Sequence, residues 1–226
     1  MRFASTSPLI IGTRGSPLAL AQAHETMGRL IRSTGLDENC FKIIVIKTSG
    51  DKIQDRPLSE VGGKGLFTKE IEDAMLDHGI DIAVHSMKDM PVICPEGLML
   101  NCYLPREDVR DSFISTKYKS ISELPKGATV GTSSLRRRAQ LLSKRPDLKI
   151  VEFRGNVQTR LRKLDEGVAE ATFLACAGLN RLGRKDISNP IEPEDMLPAI
   201  AQGCIGIEQR KGDIEIAEIL SKINDK

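Results

Sequence analysis

The sequence predicts an α/β protein of two lobes, and three observations carry the prediction. Short apolar runs alternate with stretches of helical periodicity along the chain, the pattern of a sheet joined by crossover helices. Residues 81–91, DIAVHSMKDMP, pass abruptly from an apolar run to His85, Ser86, Lys88 and Asp89, and Pro91 bars the strand from continuing. Later in the chain, Val130-Gly131-Thr132-Ser133-Ser134-Leu135 repeats the pattern of Ile11-Gly12-Thr13-Arg14-Gly15-Ser16, a strand end opening a helix. Ligands bind at the carboxyl ends of strands in open α/β sheets. The Lys88-Asp89 pair and the two turns therefore stand where a substrate would be met.

Taken in order, residues 9–12 read as a strand that runs into a turn with Ser16 suited to the N-cap and Pro17 to the first helical position. The helix carries Leu18, Ala21, Leu30 and Ile31 on its apolar face and stops at Gly35. A strand is expected over 41–48. Residues 49–65 show little periodicity, many charges and the run Gly62-Gly63-Lys64-Gly65, which reads as a long mobile loop serving as a lid. A phosphate loop of the Walker A type is excluded, because Leu58 stands where its first glycine belongs and Gly65 where its hydroxyl residue belongs. A helix over 67–78 leads to a strand at 82–84, apolar enough to be covered on both faces. His85, just past it, reads as a hydrogen-bonded core histidine in preference to a catalytic base.

Residues 98–104 form a further strand, and the polar stretch 105–111 marks the lobe boundary. Beyond it a strand ending at Val130-Gly131 opens a helix. Strands at 149–153 and 171–175 follow, with helices from about residues 156 and 177. A strand at 206–209 and an amphipathic helix over 213–223 complete the chain.

Composition narrows the function. With 40% hydrophobic and 28% charged residues in 226, the chain reads as globular; no segment approaches the roughly 20 apolar residues of a membrane span, and no signal peptide is legible at its start, so it is assigned to the cytoplasm. Cys40, Cys94, Cys102, Cys176 and Cys204 are scattered, and His24, His78 and His85 are the only histidines; neither a metal site nor a disulfide framework is expected. The net charge of +2 hides an asymmetry: nine Lys or Arg lie between Thr129 and Arg162 against Asp147 and Glu152. Arg136, Arg137 and Arg138 fall in the first turn of a helix, where the dipole disfavours cations, so a compensating anion is expected. Arg154, Arg160, Arg181 and Arg184 follow later strand ends, and guanidinium suits bidentate carboxylate binding. Nucleic acid fits less well, since aromatics are 4% and tryptophan is absent. A small polyanion is the expected ligand.

The motifs VGGKGLFTKEIE, DIAVHSMKDMP, VGTSSLRRRAQL, FRGNVQTRL and AGLNRLG, in this order and spacing, resemble the porphobilinogen deaminase (hydroxymethylbilane synthase) family over essentially the whole chain. The resemblance implies a monomeric transferase of porphyrin and heme biosynthesis that joins four porphobilinogen molecules head to tail, with loss of ammonia, into the tetrapyrrole hydroxymethylbilane. It implies two lobes like those of periplasmic binding proteins with an active-site cleft between them: lobe 1 over 1–104 plus 205–226, lobe 2 over 105–204. Asp89 falls on the family's catalytic aspartate and Lys88 on its neighbouring lysine. Arg14, Ser16, Lys64, Ser134, Arg136, Arg137, Arg154, Arg160 and Arg181 fall on residues that hold the carboxylates of cofactor and substrate. Glu60 stands where some members carry a basic residue. The family also has a third domain, in which a cysteine in a glycine-rich stretch holds a dipyrromethane cofactor through a thioether. None of the five cysteines matches it. The expectation is a chain truncated before that domain and inactive by itself; the competing reading is a two-lobed module that binds polycarboxylates without catalysis.

Overall fold

The computed structural model describes residues 3–52 and 65–225, so Lys64, Glu60 and most of the expected lid lie outside the described residues. The chain divides into two compact units, Met1–Arg106 with Cys204–Lys226, and Glu107–Gly203.

The first unit begins with β1 (Leu9–Thr13), α1 (Pro17–Thr34), β2 (Phe41–Val45), α2 (Ser49–Lys52), α3 (Lys69–Leu76), β3 (Ile82–Ser86) and β4 (Leu98–Tyr103). The second holds β5 (Asp111–Ile114), β6 (Thr129–Gly131), α4 (Leu135–Lys144), β7 (Lys149–Val151), α5 (Val157–Asp165), β8 (Ala171–Ala175) and α6 (Cys176–Arg181). The chain then returns to the first unit as β9 (Ile205–Arg210) and α7 (Ile214–Ser221).

In the first unit the strand order is β2-β1-β3-β9-β4. β1 lies parallel to β2 and β3, and β9 antiparallel to β3 and β4. The second sheet runs β7-β6-β8-β5, with β6 parallel to its two neighbours and β5 antiparallel to β8. Each unit thus places its first parallel strand centrally, its second and third on either side, and an antiparallel strand beside the third. The short Gly-Thr similarity in the sequence sits at matching points of these sheets, the carboxyl ends of β1 and β6.

Local chemistry accounts for the element ends. Ser16 Oγ accepts from Ala19 N at 3.2 Å and Pro17 opens α1, while Gly35 closes it in the left-handed region at φ 71°, where a side chain would be strained. β3 is buried on both faces, as its apolar run required. Ile82 and Val84 pack with Leu9, Ile11, Leu30 and Ile207, whereas Ala83 packs with Ile71, Met75, Ile80 and Leu98. In the second unit Val130, Leu141 and Phe173 form one cluster, and Phe153, Leu164 and Leu179 another.

Two expectations are corrected. The strands expected over 41–48 and 149–153 stop at Val45 and Val151. The polar crossing also ends earlier than charge alone suggested: Asp111, assigned to it, is fully buried and begins β5, a strand the sequence reading lacked.

Candidate functional site

In the first unit the residues singled out from sequence gather where β1 and β3 end. Lys88 and Asp89 lie exposed on a 3₁₀ turn, Met87–Asp89, directly after β3. That turn is fastened to β9: Met87 N donates to Cys204 O at 3.0 Å, and the Met87 thioether packs so closely over Gly206 that a Cβ there would lie 2.2 Å from its sulfur. From the end of β1 comes Arg14, whose guanidinium stacks over the Phe67 ring at 4.1 Å. Gln22, buried on α1, exchanges hydrogen bonds with Ser86 at the end of β3, at 2.8 and 3.1 Å. A cavity of about 80 Å³ is lined by Arg14, Ser16, Gln22, Phe67, His85 and Asp89 among others. The structure therefore brings Arg14, Ser16 and Asp89 to one place, a cationic group, a hydroxyl and a carboxylate around one cavity.

Sequence reasoning missed Gln22 and Phe67. Gln22 could have been found, since it is a polar residue on the apolar stripe that Leu18 and Ala21 define; nothing in the pattern around Phe67 marks it as a partner of Arg14.

In the second unit Ser134 caps α4, its Oγ accepting from Arg137 N at 3.4 Å. The anion expected against the cationic first turn of this helix is present, and the protein itself provides it. Asp111 accepts from Arg137 Nη2 at 2.6 Å and from Gln202 Nε2 at 3.0 Å, and Arg136 Nη1 pairs with its other oxygen at 2.7 Å. Arg137 is 5% exposed and also donates to Phe173 O at 2.7 Å. Burial pushes the Asp111 carboxyl up, but the charge of Arg137 and the bonds from both arginines outweigh it and hold the group below the usual carboxylate range. Arg136, about a quarter exposed, keeps a solvent-facing edge.

Arg154 and Arg160 flank the turn into α5. Gly155 takes φ 119° there, and a Cβ would lie 2.5 Å from Thr159. Arg154 O accepts from Lys163 Nζ at 3.1 Å, Arg160 Nε donates to Gly155 O at 2.9 Å, and Arg181 Nη2 donates to Gly203 O at 3.0 Å. All three arginines are half-buried; Arg154 lies between β7 and α5, Arg160 within α5, and Arg181 at the last position of α6.

The family model described as "Porphobilinogen deaminase, dipyromethane cofactor binding domain" matches residues 9–218. The chain belongs to the porphobilinogen deaminase family. The porphobilinogen deaminase of Paracoccus denitrificans is 66% identical, with 97% of this chain and 71% of that protein covered. The chloroplastic porphobilinogen deaminase of Oryza sativa subsp. japonica is 56% identical over 98% of this chain and 63% of its own length. Among solved structures, a periplasmic substrate-binding protein of an ABC transporter from Coxiella burnetii matches with a TM-score of 0.55 at 14% identity, covering 95% of this chain and 91% of that one. The VFT2 domain of BvgS from Bordetella pertussis gives 0.52 at 15%, covering 96% and 85%. These last two share the fold, that of two-lobed periplasmic binding proteins. No helix among the described residues is long and apolar enough to cross a membrane.

The family's dipyrromethane would need cationic partners for its carboxylates and a nucleophilic thiol to hold it. The first requirement fits the groups above. Cys40, Cys102 and Cys176 are buried, and burial pushes Cys102 up to about 12 and raises Cys176. Cys94 is also held as a thiol, by burial first and then by the negative charges of Glu208 and Glu72. Cys204 is half-buried, its Sγ donating to Ile205 O at 3.6 Å. Thiolate, not thiol, is the attacking form.

Proposed function

We propose that this chain is the substrate-handling part of an enzyme that joins four porphobilinogen molecules into hydroxymethylbilane with release of ammonia. The observation that carries the proposal is the meeting of Arg14, Ser16 and Asp89 around one cavity in a chain of this family. Asp89 accepts hydrogen bonds from pyrrole N–H groups and faces the cation left when ammonia departs, the place where fixed negative charge lowers a barrier most. Lys88 beside it and Arg14, Lys64, Arg136, Arg154, Arg160 and Arg181 bind acetate and propionate groups. Every porphobilinogen brings two carboxylates, so a lengthening chain of them requires many guanidinium groups. Ser134 and Arg137 act one step back: Ser134 fixes the helix start, and Arg137, paired with Asp111, orients the turn that presents Arg136. The protein works as a cytoplasmic monomer on a small molecule, without nucleic acid or membrane. Residues 1–104 with 205–226, and 105–204, form the lobes, and a third domain carries the cofactor.

The environments of the five thiols favour a second statement about these 226 residues alone: they bind pyrrole carboxylates but form no thioether and make no bilane. Turnover of porphobilinogen, run beside a colour test for bound dipyrromethane, examines both statements. The 226-residue chain is expected to be negative in both assays. The holoenzyme carrying Asp89→Ala is expected to keep its cofactor and lose several powers of ten in turnover. Bilane or an adduct from the 226-residue chain would refute the second statement, and full turnover by Asp89→Ala the first.

A further inference from the structure

The face of β3 that packs toward α3 carries a polar cluster to which the proposed chemistry gives no task. His85 Nε2 lies 3.0 Å from Glu208 Oε2 on β9, with the two side chains 5% and 0% exposed. Glu72 of α3, 7% exposed, adds a second buried carboxylate. Glu72 Oε1 and Glu208 Oε1 have no hydrogen-bond partner among the described residues. Two buried carboxylates beside a single imidazole are costly unless the cluster holds protons between its members. Burial raises the Glu72 carboxyl, the Thr68 hydroxyl opposes this, Glu208 adds to the rise and His85 opposes it.

With Glu208 as the ionised member of the cluster, its bond to His85 decides which nitrogen of the histidine is available. An ionised carboxylate can only accept, so the bond to Glu208 keeps the ring hydrogen on Nε2 and leaves the lone pair on Nδ1. His85 also lines the cavity shared by Arg14, Ser16 and Asp89. A buried acid that orients an imidazole at the wall of a reaction space is the arrangement of a general base.

The condensation proposed above, on which this inference rests, needs such a base. When the α-carbon of one pyrrole attacks the methylene of another, a C–C bond forms and the C–N bond has broken, its electron pair leaving on ammonia. The attacking α-carbon still bears its hydrogen. The C–H bond must break, its electrons returning to the ring and its proton going to an acceptor. The amine leaves from its ammonium form, so ammonia departs with its three hydrogens and takes no proton from the site. Asp89 stands opposite the cation. We propose that His85, oriented by Glu208, is the acceptor of the α-pyrrolic proton. The imidazolium that results is paired with Glu208. The charged and titratable groups around it are Glu72 from α3 with Thr68 at its start, Glu208 from β9, Cys94 and Lys211 at the cluster's edge, and Arg14 and Asp89 at the cavity.

Two measurements test this. In the 226-residue chain, the ¹⁵N resonances of His85 should report the Nε2–H form, with Nδ1 unprotonated; an Nδ1–H ring would overturn the proposal. In the holoenzyme, porphobilinogen deuterated at its free α-carbon should show no primary isotope effect with wild type. With His85→Gln, kcat should fall roughly 100-fold or more, the scale of a lost general base, with KM unchanged and a primary isotope effect now visible. Glu208→Gln keeps an acceptor for the Nε2 hydrogen while removing the charge, so it should fold and should move the acidic limb of the kcat profile to lower pH. An unchanged kcat without an isotope effect in His85→Gln, or an unmoved limb in folded Glu208→Gln, would overturn the assignment. A wild-type holoenzyme that makes no bilane would instead remove the parent reading.

Discussion

Asp111 is the residue whose loss has the most readily calculated effect. It is fully buried, receives Arg137, Arg136 and Gln202, and among the described residues is the sole carboxylate paired with the 5%-exposed Arg137. Asp111→Ala leaves that guanidinium buried without its counter-charge, which costs about 3–5 kcal/mol when one member of a buried pair is removed. The second unit is of modest size, and about 1 kcal/mol moves the melting point of such a domain by roughly 4–8 °C. Calorimetry should therefore show the transition of this unit lowered by more than about 10 °C. Adding Arg137→Met should recover much of the loss, because the uncompensated charge is then gone. The pH dependence has a definite sign. The folded Asp111 carboxyl lies below its unfolded value, so its contribution is complete above the ordinary carboxylate range near pH 4 and is lost as pH falls through the folded value. Asp111→Asn should flatten the acid side of the stability curve accordingly. A transition for Asp111→Ala within about 2 °C of wild type, or no recovery in the double variant, would refute the view that Asp111 balances the arginine turn.

Other expectations concern single positions. Gly131→Ala drives a Cβ to 2.3 Å from the buried Phe153 ring, so urea titration should show the second unit destabilised by about 1–3 kcal/mol; an unchanged midpoint would contradict this. Glu72, whose folded carboxyl is raised chiefly by burial, favours the fold most below its ordinary value and loses that contribution as pH rises through the raised one. Glu72→Gln should thus melt higher than wild type at pH 8 and near it at pH 5, and an equal difference at both pH values would count against a protonated Glu72. Arg154→Ala should weaken calorimetric binding of a linear tetracarboxylic pyrrole by about tenfold, the loss of one charge-assisted pair, and equal affinity would remove Arg154 from the binding groups.

The alternation of apolar runs and helical stretches was enough to locate nearly every element, because burial on one face or two writes itself into residue order. Helix starts were legible where a side chain caps them, at Ser16, Ser134 and Asn156, and α1 stopped where Gly35 supplies the left-handed end. What escaped was α2, a helix at the start of the stretch read as a loop, and β5. Asp111-Ser112-Phe113-Ile114 opens with a charge and follows a run of acids and arginines, so composition assigns its first residue to solvent, whereas its carboxylate is buried because two arginines arrive from a helix some two dozen positions later. Ion pairing at that separation leaves no periodic trace. Asp89, Arg14 and Ser16 were legible because each directly follows a strand end; the Gln22–Ser86 bond was not, since a glutamine on an apolar stripe tells of burial but not of its partner.

The two acids that sequence reading passed over occupy comparable places in their sheets. Glu208 lies on β9, the antiparallel strand beside β3, and answers His85; Asp111 lies on β5, the antiparallel strand beside β8, and answers Arg137. In a parallel sheet the side chains that reach a ligand come from the carboxyl ends, and the groups that fix them must come from elements packed alongside. A strand running the other way brings its own residues past those ends from a different part of the chain. Each unit uses that strand to set a buried carboxylate behind a cation or imidazole. The counter-charge of these groups is thereby fixed by the fold, the condition under which electrostatic groups act without reorganising. Replacing either acid should therefore alter the groups in front of it more than the sheet that carries it.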